Sequence, residues 1–145
     1  MIAPENRFVY VKSDNFICTA DVYVCILKNK QFNLRYIQGV LNSKLMNYLV
    51  QRNSKAVDGA AKTSTGETKR RYSYSVKNIS NLPIKKISRN GQKEIVKLVL
   101  KLESLINKLN LVSDTLAGDR IRDEISMVDS KIDKLVYQIY ESTES

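Results

Sequence analysis

The chain has 145 residues, 43% of them hydrophobic and 27% charged, enough for one ordinary domain or a small domain with an appendage and unlike a disordered chain. Histidine is absent, which excludes His-based triads, imidazole metal sites and imidazole acid–base chemistry, and the formal net charge is +9. The longest uncharged apolar run, residues 22–27, is far short of a bilayer span, and no signal peptide is expected at the start.

In chain order, Arg7 to Lys12 alternates Phe8 and Tyr10 with Val9 and Val11, the pattern of a strand covered on both faces. Ser13-Asp14-Asn15 supplies a turn, and Phe16 to Leu27 is rich in β-branched and aromatic residues, predicting one longer strand or two short ones. Lys28-Asn29-Lys30 ends it. Cys18 and Cys25 fall in this stretch. Two cysteines cannot form a zinc site alone and are no disulfide framework, so both are expected as buried, reduced thiols of a cytoplasmic protein.

Asn33 is placed to cap a helix running to about Arg52, with Leu34, Ile37, Leu41, Leu45, Tyr48 and Leu49 along one face. The least hydrophobic stretch follows, from Gln51 to Lys69, with Gly59, Gly66 and a Ser/Thr cluster from Thr63 to Thr68. It predicts a long exposed loop, and such loops inside compact domains are commonly functional. Arg71 to Val76 alternates Tyr72, Tyr74 and Val76 with serines and predicts a half-buried strand. Asn81-Leu82-Pro83-Ile84 reads as extended, since Pro83 pushes Leu82 out of the helical region.

From Gly91 the pattern becomes helical. Ile95, Leu98, Leu102, Leu105, Leu109, Val112 and Leu116 step by three and four, as do Ile121, Ile125, Val128, Ile132, Leu135 and Ile139. The phase is lost between Leu116 and Ile121, where Gly118 and Asp119 offer a helix stop and a new N-cap. The expected fold class is α+β: a small mixed α/β globular domain over residues 1–90, then a long antiparallel two-helix hairpin with coiled-coil-like packing over 91–145.

Charge follows the same division. Residues 1–94 carry 17 basic and 6 acidic side chains, whereas residues 95–145 carry 7 and 9. A one-sided basic charge points to a polyanion-facing surface; the plainer alternative is a lysine-rich domain that binds none. Arg52, Lys55, Lys62, Lys69, Arg70, Arg71 and Lys77 lie within 26 residues, opposed only by Asp58 and Glu67, with Tyr72 and Tyr74 following. Cations contact phosphates, arginine can also read guanine edges, and the nine residues Arg52, Lys55, Lys62, Lys69, Arg70, Arg71, Tyr72, Tyr74 and Lys77 are the expected nucleic-acid-binding set. A solvated, soluble loop is the competing interpretation.

Catalytic motifs are missing. Gly59-Ala60-Ala61-Lys62-Thr63 lacks the glycine before its lysine that a phosphate-binding loop needs, and it follows a predicted helix. Asn81-Leu82-Pro83-Ile84 lacks the first proline and the aromatic of the N-P-P-[YF] motif of amino-methyltransferases. Asp58 with Glu67-Thr68-Lys69 echoes the D…E-x-K pattern of metal-dependent nucleases, but no strand-forming residues surround it, so solvated loop charges are preferred.

Tyr36-Ile37-Gln38-Gly39-Val40-Leu41-Asn42-Ser43-Lys44-Leu45 resembles the "Y-[ILV]-x-[AG]-[ILV]-L-N-S-K-L" helix of target-recognition domains. Asn78-Ile79-Ser80-Asn81-Leu82-Pro83-Ile84 resembles their "L-x-x-[IL]-P-[IVL]-P" strand, with Lys85 where the second proline is usual. Gln92 to Val99 resembles the start of the following helix, and Ile132 to Tyr140 the closing "I-D-x-L-V-Y-x-L-Y" helix. Together, over about residues 7–142, they are similar to the TaqI-like C-terminal specificity domain of restriction–modification adenine methyltransferases, related to half of a type I specificity subunit. The resemblance implies a non-catalytic, sequence-specific module for double-stranded DNA that serves a methyltransferase or restriction catalytic domain or subunit. Its helices would act as spacer and docking surface.

No catalytic methyltransferase domain is present in this sequence, so an excised domain or a stand-alone specificity module is expected. No cofactor is expected in the chain; S-adenosylmethionine and Mg²⁺ would belong to catalytic domains of the parent enzyme. A helical assembly module with an incidental basic face is the second reading, and it includes a homodimer through the helices. Methylation or cleavage by this chain alone is the third.

Overall fold

The computed structural model describes residues 2–3, 7–12, 17, 22–62 and 68–142. It is a mixed α+β chain that ends in two long packed helices, as the sequence pattern predicts. A two-residue strand β1 (Ile2–Ala3), β2 (Lys55–Lys62) and β3 (Thr68–Ser73) form an antiparallel sheet in the order β1-β3-β2. The helices are α1 (Leu34–Asn42), α2 (Lys44–Arg52), a short α3 (Val76–Ser80), α4 (Arg89–Leu109) and α5 (Thr115–Glu141).

Asn33 caps α1 as predicted, its side chain accepting a hydrogen bond from the Arg35 amide. The single helix expected to Arg52 is instead two. Ser43 ends α1 with its hydroxyl donating to the Val40 carbonyl at 2.7 Å, then caps α2 by accepting from the Met46 amide. The break turns Tyr36, Gly39, Val40, Leu41, Met46 and Val50 inward, whereas Tyr48, expected on the buried face, is 59% exposed.

The hairpin helices pair antiparallel. Ile95 and Val99 of α4 meet the same α1 glycine that Ile132 of α5 approaches, Lys101 pairs with Glu124 at 2.7 Å, and Leu109 lies against Gly118. The predicted break at Gly118 and Asp119 is displaced. The turn spans residues 110–114, and the carboxylate of Asp114 accepts from the Leu116 and Ala117 amides to start α5. An aspartate followed by free amides satisfies the orphan donors of a new helix, whereas Asp119 lies within α5 and pairs with Arg122 at 2.7 Å. Gly118 is buried inside the helix, where a Cβ would meet Leu109 Cδ1 at the tip of α4 at 3.8 Å, an ordinary contact.

One apolar core joins the two parts of the chain: Tyr36, Val40, Met46, Val50, Tyr74, Ile95, Val99, Leu105, Val128, Ile132 and Val136 are all buried in it. Gly39 is required at its centre, because a Cβ there would fall 2.7 Å from Ile95 Cγ2 and 2.9 Å from Val99 Cγ2. Polar pins accompany the packing. The Gln92 side chain accepts from the Asn33 amide at 2.8 Å and donates to the Gln31 and Ile87 carbonyls. The Asp133 carboxylate accepts from the Lys44 amide at 2.9 Å and pairs with Lys44 Nζ at 3.2 Å, so a group on α5 caps α2. The Tyr36 hydroxyl donates to the Lys85 carbonyl at 2.7 Å, and Tyr140 donates to the Pro83 carbonyl while accepting from the Lys85 amide.

The strands predicted in the first 27 residues do not form among the described residues. Residues 7–12, 17 and 22–29 are irregular, with Val9 81% exposed; the turn at 13–15 lies outside the described residues. Without a neighbouring strand to pair with, β propensity has no ladder to stabilise. Instead, Asn42 holds the Phe8 backbone, accepting from its amide and donating to its carbonyl at 2.8 Å each, and the Arg35 guanidinium lies 4.1 Å from the Tyr10 ring centroid. Cys25 is a free, exposed cysteine rather than a buried one, because this irregular segment runs along the surface; Cys18 lies outside the described residues.

Candidate nucleic-acid interface

The predicted loop from Gln51 to Lys69 is largely a β-ribbon. β2 and β3 pair antiparallel with Ala56 opposite Tyr72, Val57 opposite Arg71, Ala60 opposite Arg70 and Lys62 opposite Thr68. Alanines and lysines conceal a strand from pattern analysis, since neither marks a face; cross-strand pairing with β3 supplies the order. Residues 63–67, including the expected Thr63 and Gly66 of the loop, lie outside the described residues. The phosphate-loop-like string therefore begins inside a strand, not after a helix.

The ribbon carries an irregularity between Val57 and Ala60, where Asp58 and Gly59 have no partners on β3. Gly59 adopts φ +85°, a left-handed conformation that favours glycine. The Arg71 guanidinium reaches across the ribbon and donates to the Asp58 carbonyl. A Cβ on Gly59 would come within 2.9 Å of Arg71 Nη2, so guanidinium and glycine backbone are in close approach.

Around this bulge the predicted residues divide. Lys55, Lys69 and Arg70 are exposed on the strands, Lys62 closes β2, Arg52 ends α2 and Lys77 lies exposed on α3. Besides Arg71, the ribbon and its two flanking helices thus carry six of the predicted cationic residues, five of them exposed, with Asp58 the only acidic residue among the described strand residues. Arg71 is half-buried and engaged with the bulge. Tyr72 packs on the core edge, and Tyr74 is 1% exposed, with its carbonyl accepting from the Tyr23 hydroxyl at 3.1 Å. The strand predicted over Arg71 to Val76 stops at Ser73, because the Ser75 hydroxyl caps α3 by accepting from the Asn78 amide.

The nuclease-like trio loses one argument against it, since Asp58 and Lys69 do lie on strands; Glu67 lies outside the described residues. Among the described residues no group of three or more acidic, Cys or His side chains is gathered as for a metal ion. Among those same residues no helix is long and apolar enough to cross a membrane.

The TaqI-like C-terminal specificity domain matches residues 1–84, more than half of the chain. The chain belongs to this family. Membership implies DNA target recognition for a restriction–modification methyltransferase, a role that is typically non-catalytic. No curated protein and no solved structure matches the chain. The matched residues contain α1, α2, the whole ribbon and α3, together with the motifs at 36–45 and 78–84; those at 92–99 and 132–140 lie beyond. In this specificity domain the motif at 78–84 is not a strand: it finishes α3 and continues as irregular chain.

Sequence reasoning missed Gly59, Gln92 and Asp133. Gly59 stands out only as a loop breaker, whereas Gln92 and Asp133 fall inside motifs with no pattern marking them as buried. A polar residue one step from an apolar seam is the signal each helix offers.

Proposed function

We propose that the chain is a sequence-specific double-stranded DNA-binding module that supplies target recognition to a restriction–modification methyltransferase or endonuclease and carries no catalysis of its own. The β2–β3 ribbon is its DNA-facing surface. The observation that carries this reading is the gathering of Arg52, Lys55, Lys62, Lys69, Arg70 and Lys77 on or beside one antiparallel ribbon within the matched family region. B-DNA's major groove admits a two-stranded ribbon, and exposed cations along it neutralise phosphates while arginine reads guanine. Arg71, Tyr72 and Tyr74 support the ribbon from behind. The α4–α5 hairpin is the spacer and docking surface for the catalytic partner, and S-adenosylmethionine and Mg²⁺ are cofactors of that partner.

Fluorescence anisotropy on a labelled duplex at several salt concentrations tests this. The logarithm of affinity should fall against the logarithm of salt with a slope of roughly −0.9 per phosphate contacted. Arg70→Ala should cost about 1–3 kcal/mol and relax sequence preference if its side chain holds a base edge. Lys69→Ala should weaken all duplexes alike and flatten the slope by about one unit. Lys131→Ala and Lys134→Ala, exposed on α5, are the controls. Wild-type affinity in the ribbon variants, with loss in the α5 variants, would move the DNA face elsewhere.

The second reading, an assembly module, is favoured by the exposed Leu100, Ile106, Met127 and Tyr137 on the hairpin. Sedimentation separates it: a dimer without salt-dependent duplex binding supports assembly.

A further inference from the structure

The ribbon that carries the cations also carries one acid, and its placement is specific. Asp58 is the only acidic residue among the described residues of β2 and β3, and its side chain is exposed. It occupies the bulge, so it has no cross-strand partner on β3. Bulges re-aim a side chain away from the regular alternation of a strand. Here the backbone of the bulge is held by two features: Gly59 supplies the positive φ, and Arg71 donates to the Asp58 carbonyl. The clamp therefore uses Asp58's backbone and leaves its carboxylate, which no hydrogen bond or ion pair engages among the described residues. Asp58 lines a shallow depression of about 400 Å³ together with Gly59, Thr68, Lys69 and Arg70.

A carboxylate facing DNA is repelled by phosphates and finds no donor on deoxyribose. Donors on a duplex are base amino groups: cytosine N4 and adenine N6 in the major groove, guanine N2 in the narrow minor groove. An unpaired carboxylate on a DNA-facing ribbon weakens binding to every sequence except one that presents such a donor to it. That is the means by which one residue creates specificity through rejection as well as attraction.

We infer that Asp58 is a specificity-determining residue whose carboxylate accepts a hydrogen bond from the exocyclic amino group of a cytosine or adenine in the major groove, beside the position read by Arg70. The inference rests on the proposed DNA-binding function. Arg71 is a positioning residue in it, holding the bulge that presents Asp58.

The test uses the full chain, selected against a pool of duplexes with a randomised central segment, followed by anisotropy on the selected duplex and a scrambled one. Wild type should enrich a motif with an invariant cytosine or adenine at one position. Asp58→Ala leaves the carbonyl that Arg71 uses, so its thermal midpoint should match wild type. It should lose about tenfold of discrimination at that position and bind the scrambled duplex more tightly at low salt. Asp58→Asn separates the two bases: asparagine pairs with adenine, so a cytosine preference should shift to adenine, whereas an adenine preference should persist. Arg71→Ala should blur the same position, and Arg71→Lys should restore part of it, an effect that loss of folding alone would not produce. If Asp58→Ala enriches the wild-type motif and tightens binding to both duplexes equally, Asp58 only tunes charge and the inference is wrong. If wild type enriches no motif, DNA target recognition itself fails and the inference falls with it.

Discussion

Tyr36, Ile95, Ile132 and Val136 lie on three different helices and meet in one core, and the buried polar groups beside them hold those helices together. Gln92 ties α4 to the start of α1, and Asp133 caps α2 from α5. Along β2 and β3 Lys55, Ala56, Asp58, Ala60, Lys69 and Arg70 are exposed, and of the ribbon's large apolar side chains Tyr72, at its inner end, packs against that core. In the helical frame, packing decides which residue is tolerated. On the ribbon it mostly does not, so side chains there are free to be chosen for what they touch. A specificity module needs this separation, because recognition must change without unfolding the support.

The largest expected effect breaks the comparison at its root. The family match ends at residue 84 and the sequence pattern divides the chain near residue 90, yet the core of the first part is completed by α4 and α5. A fragment of residues 1–90 should therefore lack a cooperative thermal transition, and adding the separate 91–145 segment should not reproduce the stability of the intact chain. A fragment that melts cooperatively on its own would show that the frame is two domains. Ile132→Asp attacks the same joint in the whole protein: an unpaired charge buried against Gly39 should cost roughly 3–5 kcal/mol, read from chemical denaturation.

How legible this frame is depends on what each signal encodes. The three-and-four spacing of Ile95 to Leu109 and of Ile121 to Ile139 marks long amphipathic helices because one stripe of each is buried, and both helices form. The turn between them falls a few residues before the point where the pattern loses phase. Gly118 looks like a stop but continues α5 as a buried helical residue beside Leu109, a placement that exists only once α4 is beside it. β2 is invisible in the sequence because Lys55, Ala56, Ala60 and Ala61 carry little strand preference; its order comes from partners on β3. The opposite failure occurs at Val9 and Val11, whose strong preference finds no paired strand. The basic cluster is plain from composition, but which cations are exposed and which one clamps a bulge requires the register.

An intermediate effect sharpens the comparison through pH, since the ionisable pins with shifted hydroxyls lie in the frame. Burial, with a smaller contribution from nearby Tyr140, raises the Tyr36 hydroxyl from 10.0 to about 12, and burial raises Tyr140 as well. Both phenols are held neutral while they bond the chain at residues 83–85. In the unfolded chain each ionises near its ordinary value, so the stabilisation from Tyr36 is complete below pH 10 and is lost as pH rises from there through about 12, and that from Tyr140 is lost on the same alkaline side. Denaturation midpoints should fall across that window. Tyr36→Phe should cost about 1 kcal/mol at neutral pH through the lost bond to the Lys85 carbonyl, and it should flatten the alkaline loss. An unchanged alkaline profile in Tyr36→Phe would mean that another group controls it.

The smallest effect on stability lies on the ribbon, where it separates shape from folding. Gly59→Ala forces a side chain into a left-handed conformation and places a Cβ 2.9 Å from Arg71 Nη2. The conformational cost is about 1–2 kcal/mol, and the guanidinium, at the end of a flexible side chain, can move aside. Because the bulge lies at the exposed part of the ribbon, the strain is relieved by local rearrangement, and the global thermal midpoint should drop by less than that cost implies. Binding should respond more strongly. Once Arg71 leaves the Asp58 carbonyl, the register that sets Lys69 and Arg70 against β2 is no longer pinned, so duplex affinity and sequence preference should both decline while the salt slope stays near wild type, the cations being unchanged. Anisotropy and thermal melting on the same preparation measure the two effects together. Equal losses in melting and binding would place the bulge within the frame's cooperative unit and remove the distinction between support and reading surface.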